Sequence, residues 1–355
     1  MLASFLIPLV LAAGPAGLPA RFDPDTVLAH LTAARAVVHP ERGEIVIHLA
    51  PVDLPVSEGG GAHHGRHEHG RFPPVALTEL PADGSLYGFR AEVIDALGRE
   101  LPAALIHHVN VIDPDNRELF LPIARRLAAA GRETGDVTLP RLLFGIPFAR
   151  GQRIVVNAML HNPLDVSYRD VRVRVVLLYT PARRPWPLYR GAPFQLDVAF
   201  PVGDKSFDLP PGRSERSYEA SPAIAGTIVA IGGHLHDYGV SIELANASTG
   251  EVIWRAEPQR DAEGRLQSIP VGRLYKLGRL GVHVDPGERY RVTVVYDNPT
   301  GRTLPAGGMG VVGGLFVPDD PAQWPRVNPT DTLYITDLLH ATRQLGASTM
   351  AHSGH

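Results

Sequence analysis

Short runs of alternating hydrophobic and polar residues, separated by Gly, Pro and Asp, repeat along most of this 355-residue chain. A period of two is typical of strands that bury one face. It predicts strands at residues 44–48, 74–77, 87–94, 104–111, 153–160, 171–179, 195–200, 227–234, 240–244, 252–255, 290–296 and 311–316. Helices are predicted at residues 25–35, 121–130 and 332–345 only. We therefore predict an all-β protein made of two tandem jelly-roll-like β-sandwich domains with few short helices.

A proline-rich segment divides the predicted strands into two comparable groups. Pro181, Pro185 and Pro187 lie within seven residues, and strand patterns occur on both sides of them. Proline cannot continue a central strand, so this segment is the best predicted linker. We expect an N-terminal domain at residues 21–183, a C-terminal domain at 184–320, and a C-terminal helix and tail at 321–355. Residues 57–70 (SEGGGAHHGRHEHG) are predicted to form a histidine-rich loop.

The first twenty residues are predicted to be a secretory signal peptide. Residues 1–12 are almost wholly apolar, and small residues that suit a signal-peptidase site follow up to Ala20. A buried N-terminal strand or a short anchor is the alternative. The apolar run is shorter than the roughly 20 residues that a membrane span needs, so no stable membrane insertion is expected. We expect an exported protein, periplasmic or extracellular.

The amino-acid composition limits the kinds of functional site that the chain can form. The chain has 16 His, 4 Met and 0 Cys, which excludes disulfides, thiolate metal sites and cysteine nucleophiles. Lys and Arg total 34 and Asp and Glu total 37, so the formal charge is 34 − 37 = −3. Nothing in this balance favours nucleic acid as a partner. Candidate chemistry therefore centres on histidine and methionine.

The sharpest local motif is the pair His234 and His236, with Leu235 between them. On a strand, residues two apart lie on one face, so both imidazoles can bind one metal ion. Two solvent-facing histidines at a strand end are the alternative interpretation.

Three further positions carry possible ligands. His107 and His108 are adjacent, and neighbours on a regular strand point to opposite faces, so joint ligation needs a bulge or twist there. His161 follows a predicted strand, where it is either a ligand or a hydrogen-bonded turn residue. Met309 lies between turn glycines; it is either a core residue or a thioether ligand, and thioether selects Cu(I).

In chain order these residues give His-His, a single His, the linker, His-x-His and a Met. This order resembles the copper type II, ascorbate-dependent monooxygenases, the family of peptidylglycine α-hydroxylating monooxygenase and dopamine β-hydroxylase. The resemblance covers roughly residues 86–317. It implies two copper ions, each bound by one domain. The first would be bound by His107, His108 and His161, and the second by His234, His236 and Met309.

The resemblance implies an exported monooxygenase that hydroxylates a C–H bond of a small-molecule substrate with O2. Its catalytic copper would be that of His234, His236 and Met309, the other copper would deliver an electron, and ascorbate or another reductant would reload both. The amidating enzyme binds its peptide carboxylate through Arg before the His-x-His pair. Here Ile231, Gly232 and Gly233 stand in that place, so peptide amidation is not expected.

Two other functions stay open. A copper storage or delivery protein with the same fold and ligands would need no substrate-binding set. The histidines of the 57–70 loop and the tail residues Met350, His352 and His355 would suit that role. A zinc-dependent hydrolase that uses His-x-His would need a nearby carboxylate base and would leave Met309 without a role.

Overall fold

The computed structural model describes residues 22–56, 71–131, 137–185, 187–200, 205–262 and 264–343. The predicted signal peptide, the histidine-rich loop at 57–70 and the tail from residue 344 lie outside these ranges. Within them the α-helices are α1 (Pro24–Ala29) and α2 (Thr332–Ala341), and short 3-10 helices occur at Ala103–Leu105 and Pro321–Gln323. No helix in the described ranges is long and apolar enough to cross a bilayer.

Strands of the first half build two sheets. These strands are β1 (Thr32–Ala33), β2 (Ala36–His39), β3 (Glu44–His48), β4 (Val52–Leu54), β5 (Ala76–Glu79), β6 (Gly84–Ile94), β7 (Ile106–Arg117), β8 (Ala124–Gly131), β9 (Val137–Thr138), β10 (Phe144–Phe148), β11 (Arg153–Leu160), β12 (Tyr168–Pro181) and β13 (Tyr189–Arg190).

One of these sheets has the order β1-β5-β11-β7-β8 and the other β13-β10-β6-β12-β3-β2. In the second sheet β4 also pairs with β12, and β9 also pairs with β6. Their facing side chains make one core, which includes Val109 and Ile154 from the first sheet and Ile45, Phe89 and Val175 from the second. In strands such as β3 and β12 alternate residues enter this core, which is why the period of two was informative. The half is a β-sandwich.

The second half repeats this arrangement. Its strands are β14 (Ala192–Asp197), β15 (Phe207–Leu209), β16 (Gly212–Ala220), β17 (Gly226–Leu235), β18 (Gly239–Asn246), β19 (Val252–Ala256), β20 (Gln259–Arg260), β21 (Leu266–Ser268), β22 (Gly272–Arg273), β23 (Val282–Val284), β24 (Tyr290–Asn298), β25 (Leu304–Gly308) and β26 (Gly310–Pro318).

The sheet β14-β26-β17-β22, to which β23 also pairs, packs on the sheet β16-β24-β18-β19. Phe194, Ile231 and Phe316 from the first of these meet Ile242 and Val294 from the second in a shared core. The prediction of an all-β fold with two tandem, jelly-roll-like β-sandwiches and few short helices is confirmed.

Two segments join the halves. The connection between β7 and β8 places Leu119, Phe120 and Ile123 in the core of the second half. In the other direction, β13 lies beyond the predicted boundary at residues 183/184 but pairs in parallel with β10 of the first half. The halves therefore share a packed interface, and the exact boundary stays a prediction.

The helix predicted at residues 121–130 is wrong. Residues 124–131 form β8, which pairs antiparallel with β7 from His108 to Arg117. The Ala-rich sequence has high helix propensity, but as a strand it buries Leu127 and Ala130 in the core of the first sandwich and Ala124 in the cluster beneath α2, and tertiary packing overrides propensity.

The helix predicted at residues 25–35 is correct only at its start. It ends at Ala29, because Thr32 donates its backbone N–H to Val75 and the chain enters β1 beside β5.

The helix predicted at residues 332–345 is observed as α2. Asp331 caps it by accepting the N–H of Leu333, and Tyr334 and Leu338 are buried against α1 and the β7-β8-β11 surface. Asp337 on the same helix accepts two hydrogen bonds from the Arg126 guanidinium, at 2.5 and 2.7 Å. A bidentate pair of this kind fixes orientation as well as contributing energy. The helix is therefore anchored on the sheet that contains β7.

Candidate metal centre

The His-x-His pair lies at the end of β17. Leu235 is buried in the core of the second half, so the alternation of the strand turns His234 to the opposite face. His236 follows directly after the strand and opens a turn, in which Gly239 donates its N–H to the His236 carbonyl at 3.2 Å. Tyr238 in this turn has a φ of +69°, which non-glycine residues rarely adopt. The chain thus bends sharply where the second imidazole is presented.

A β-bulge lies at the adjacent histidines of β7. Along the neighbouring β11, Met159 pairs with His108, but the next residue, Leu160, pairs with Ile106. His107 is therefore the extra residue that has no partner position in the ladder, which is how a bulge changes the direction of a side chain. The two rings stack with their centroids 4.2 Å apart. The bulge required by the sequence argument is present.

The two histidine pairs meet between the halves. The His108 ring lies 5.0 Å from that of His234 and 6.0 Å from that of His236, measured between centroids. The rings of His234 and His236 are 5.3 Å apart and almost perpendicular. His107 also reaches the group, at 5.9 Å from His236. Four imidazoles, two from each half, therefore form one cluster.

Three members of this cluster have the geometry of a metal site. One ring nitrogen from each of His108, His234 and His236 lies within 4.8 Å of the others, and Nε2 of all three rings is buried. Nitrogen ligands at about 2.0–2.1 Å from a tetrahedral metal are roughly 3.4 Å apart, so binding one ion would require these nitrogens to approach one another by at most about 1.4 Å. We define these three residues as the histidine triad.

The triad mixes the two ligand sets that the resemblance implied. His108 comes from the predicted first set, and His234 and His236 come from the second. His161 is not a member of the triad in the described part of the chain. Its backbone N–H donates to the carbonyl of Leu105, the residue before β7, at 3.0 Å. The assignment of His161 as a ligand stays a prediction.

Met309 is tied to the triad through the backbone. It lies between β25 and β26, and β26 pairs with β17 so that Gly310 is opposite Leu235. The hydroxyl of Tyr296 accepts the N–H of His236 at 3.0 Å and that of Met309 at 3.1 Å, and donates to the Met309 carbonyl. Met309 is half-buried, which argues against the alternative of an ordinary core methionine.

A buried carboxylate lies near the triad. Asp197 of β14 and His234 of β17 both pair with Val311 of β26, from its two sides, so the three residues share one face of the sheet. Burial raises the pKa of Asp197 to about 6, whereas Lys205, the N–H of Ala199 and the nearby His234 lower it. Above that pH the carboxylate adds a negative charge close to the triad.

A second buried carboxylate joins the halves at the end of β7. Glu118 Oε1 accepts the N–H of Leu119 at 2.8 Å and that of Gln195, on β14, at 3.1 Å. Burial raises the pKa of Glu118 to about 7, opposed by these N–H groups and by Arg125 and Arg126. Neither Asp197 nor Glu118 stood out in the sequence, because their roles depend on pairing with distant strands.

A surface groove lies elsewhere on the protein. It has a volume of about 650 Å³ and is lined by residues such as Arg71, Phe72 and Tyr168. The triad residues do not line it. Its two sides adjoin residue 56 and residue 71, which flank a stretch outside the described ranges. The chemistry of the histidines, rather than the size of the groove, therefore identifies the candidate site.

No family model matches this chain, and no curated protein matches it. The solved structures that it matches include a fucolectin from striped bass serum, with 10% identity, a TM-score of 0.18 and coverage of 78% of this chain and 96% of that one. Another is the VP2 subviral particle of infectious bursal disease virus, with 13% identity, a TM-score of 0.22 and coverage of 82% and 72%. A third is a putative secreted protein from Parabacteroides distasonis, with 11% identity, a TM-score of 0.17 and coverage of 81% and 93%. These scores carry no argument about function, and the all-β fold rests on the strand pairing itself.

Proposed function

We propose that this protein is an exported copper protein and that the triad of His108, His234 and His236 is its copper-binding centre. The single observation that carries the proposal is the convergence of ring nitrogens from two different halves within 4.8 Å. Such convergence needs a β-bulge on one strand and an alternating pair on another. It is unlike two histidines at a solvated strand end.

The donor set favours copper over other metals. Imidazole suits zinc, copper, iron and nickel, whereas thioether sulfur selects Cu(I). The only group of possible metal ligands found among the described residues consists of these three histidines and includes no carboxylate. Its composition disfavours calcium and magnesium, which bind oxygen ligands. Met309, joined to His236 by the Tyr296 hydroxyl, supplies the soft donor. A zinc hydrolase of the triad would leave this methionine without a role.

A monooxygenase reaction is the second part of the proposal. It rests on the pairing of His-x-His with a methionine, which the family resemblance assigns to the copper that meets O2. The overall reaction is R–H plus O2, two electrons and two protons to R–OH and H2O, with ascorbate or a similar reductant supplying the electrons. The substrate is a small molecule without the carboxylate that the amidating enzyme binds.

The number of copper ions separates two versions of this proposal. The resemblance implies two ions per chain, whereas the triad accounts for one. Copper measured by mass spectrometry after loading and dialysis is expected to be close to one per chain. A value near two, falling to one in His161→Ala, would restore the two-site version.

The same measurement on variants tests the triad. We expect His234→Ala to lose copper, and His283→Ala to retain it. His283 is a suitable control because it is exposed and pairs with Asp319 at 2.9 Å. Retention of copper by His234→Ala, or preferential retention of zinc by the wild type, would overturn the copper site. Oxygen consumption that depends on both reductant and substrate would separate an enzyme from a storage or delivery protein.

A further inference from the structure

Tyr296 is the buried side chain that connects the His-x-His turn to the methionine segment. Its residue is 1% exposed, and its hydroxyl makes three hydrogen bonds to the backbone of two residues. A buried hydroxyl has one proton to donate and two lone pairs to accept with. Here all three are used, by the N–H groups of His236 and Met309 and by the Met309 carbonyl.

The surroundings of Tyr296 fix its ring. The Phe207 ring lies 5.8 Å away in an edge-to-face arrangement, which aromatic pairs prefer. That ring occupies the space over Gly308, where a Cβ would come within 2.2 Å of it. A residue with a side chain at position 308 would therefore displace Phe207 and, with it, the support of Tyr296.

The glycines beside Met309 define its direction. A Cβ at Gly308 would meet Phe207, and one at Gly310 would lie 2.5 Å from Val294. Both neighbours thus face the core of the second half. Because side chains alternate along extended chain, Met309 is directed away from this core. Its backbone is held beside His236 by the shared hydroxyl, so its side chain emerges on the side of the imidazoles.

From these contacts we infer that Tyr296 is a positioning residue that joins His236 to Met309 and so holds the thioether beside the triad. The inference rests on the proposed copper site and assigns Met309 to the same ion. A thioether held in this way raises the affinity for Cu(I) more than that for Cu(II), because soft sulfur favours the reduced ion.

The chain provides a matched control on the same strand. Tyr290, six residues before Tyr296 on β24, is also buried, and its hydroxyl accepts the N–H of Asp285 at 3.1 Å and donates to Glu288 at 2.6 Å. Tyr290→Phe therefore removes comparable hydrogen bonds from the same core. Any general loss of stability is expected in both variants.

Competition with chelators specific for Cu(I) and Cu(II) measures the two affinities. In Tyr296→Phe we expect the affinity for Cu(I) to fall about tenfold, the lower end for loss of a group that supports a ligand, with a smaller change for Cu(II). Tyr290→Phe is expected to leave the ratio of the two affinities unchanged. If Tyr296 acts on the copper through Met309, Tyr296→Phe should have no effect on this ratio in a protein that already carries Met309→Leu. A double-mutant cycle measures this coupling between the two residues.

A second measurement needs no copper. The chain has four methionines, so a 13C-methyl methionine spectrum of the metal-depleted protein is simple, and Met309→Leu identifies the Met309 signal. Proximity to the imidazole rings should shift this signal from its random-coil position. The shift should collapse in Tyr296→Phe and persist in Tyr290→Phe.

The two measurements separate the inference from the proposed function. A wild type that binds no copper, but whose Met309 signal collapses only in Tyr296→Phe, would refute the copper site and leave the positioning role standing. Equal ratios of affinity in the two phenylalanine variants, or an undiminished effect of Tyr296→Phe in the Met309→Leu background, would overturn the inference. So would an unchanged Met309 signal in Tyr296→Phe.

Discussion

β7 and β17 each bring two histidines to the same cluster, but by different geometry. On β17 the regular alternation of the strand separates His234 from the buried Leu235, and its end delivers His236. On β7 the histidines are adjacent, and only the bulge at His107 turns both rings to one side. The comparison shows that a ligand pair built on alternation belongs to one strand, whereas a pair built on a bulge also depends on the partner strand.

The largest expected effect is on copper affinity, and it distinguishes the two adjacent histidines of β7. His108→Ala removes a triad nitrogen, whereas His107→Ala removes a stacked ring. Structural zinc sites gain about 10–16 kcal/mol from about four ligands, so one ligand accounts for roughly 3–4 kcal/mol, or two to three orders of magnitude in affinity. We expect a copper affinity loss of this size in His108→Ala, measured by chelator competition.

His107→Ala is expected to lose tenfold or less in the same assay. Equal losses in the two variants would mean that β7 contributes both rings as ligands. The bulge would then act as a chelating pair.

The next effect concerns the carboxylate at the end of β7. The folded-state pKa of Glu118, about 7, is above its ordinary value of 4.5. The folded protein therefore binds this proton more tightly than the unfolded chain, and the resulting stability is present below pH 4.5 and lost as the pH rises to 7. At about 1.4 kcal/mol per pH unit, the loss between pH 4.5 and pH 7 is at most about 3–4 kcal/mol.

Glu118→Gln removes this dependence while its Oε1 still accepts the N–H groups of Leu119 and Gln195. Denaturant unfolding between pH 5 and 8 should show the variant gaining on the wild type as the pH rises. A constant difference across this range would show that the carboxylate does not titrate in the folded protein.

A third effect tests whether the two strands are joined by metal. Because β7 and β17 belong to different halves, an ion bound by both stabilises only the folded arrangement. At a copper concentration 100 times the dissociation constant, we expect a gain of about 2.7 kcal/mol in the free energy of unfolding. The gain should be absent in His108→Ala, whose triad has lost its β7 member. The same gain in that variant would place the copper on β17 alone.

The smallest effect concerns the carboxylate beside β17. Asp197 and His234 are two strand spacings apart, about 10 Å. At an effective dielectric constant of 20, a unit charge at that distance is worth about 1.7 kcal/mol, or slightly more than tenfold in affinity. The pKa of Asp197 is about 6, so the group is charged at pH 7.5. Asp197→Asn should weaken the binding of Cu(I), which carries a single positive charge, by about this factor.

Glu118→Gln serves as the control for Asp197→Asn. It also removes a buried carboxylate that interacts with Arg126, and the main influences on the pKa of Glu118 besides burial are the N–H groups of Leu119 and Gln195 and the charges of Arg125 and Arg126. Equal losses of Cu(I) affinity in the two variants would show that the effect of Asp197 is not directed at the β17 histidines.

The contrast between β7 and β17 also explains what the sequence could predict. β3 and β11 have the predicted limits. In β3 the burial alternates from residue to residue, whereas β11 is an apolar run that is buried on both faces. The pair on β17 followed from the rule of alternation. The meeting of His108 with β17 could not be predicted, because it depends on the packing of one half on the other.

Two further features could not be predicted from the sequence, because they too depend on contacts between residues that are distant in the chain. Residues 124–131 have a helical composition, and only their pairing with β7 makes them a strand. Tyr296 sits at an ordinary inward position of β24, where Val292 and Val294 alternate with polar residues, so nothing in the pattern separates it from other core residues. Its hydroxyl acquires a role only through the backbone groups it meets.

Because of the bulge, the site depends on the number of residues in β7 as well as on their identity. Deletion of a single residue there would restore an unbroken ladder with β11. The adjacent residues Met159 and Leu160 of β11 now pair with His108 and Ile106, which are two residues apart. A one-codon loss could therefore abolish metal binding while every remaining ligand is intact. Aligned relatives with both histidines, but one residue fewer before or after them, would not be expected to share the chemistry.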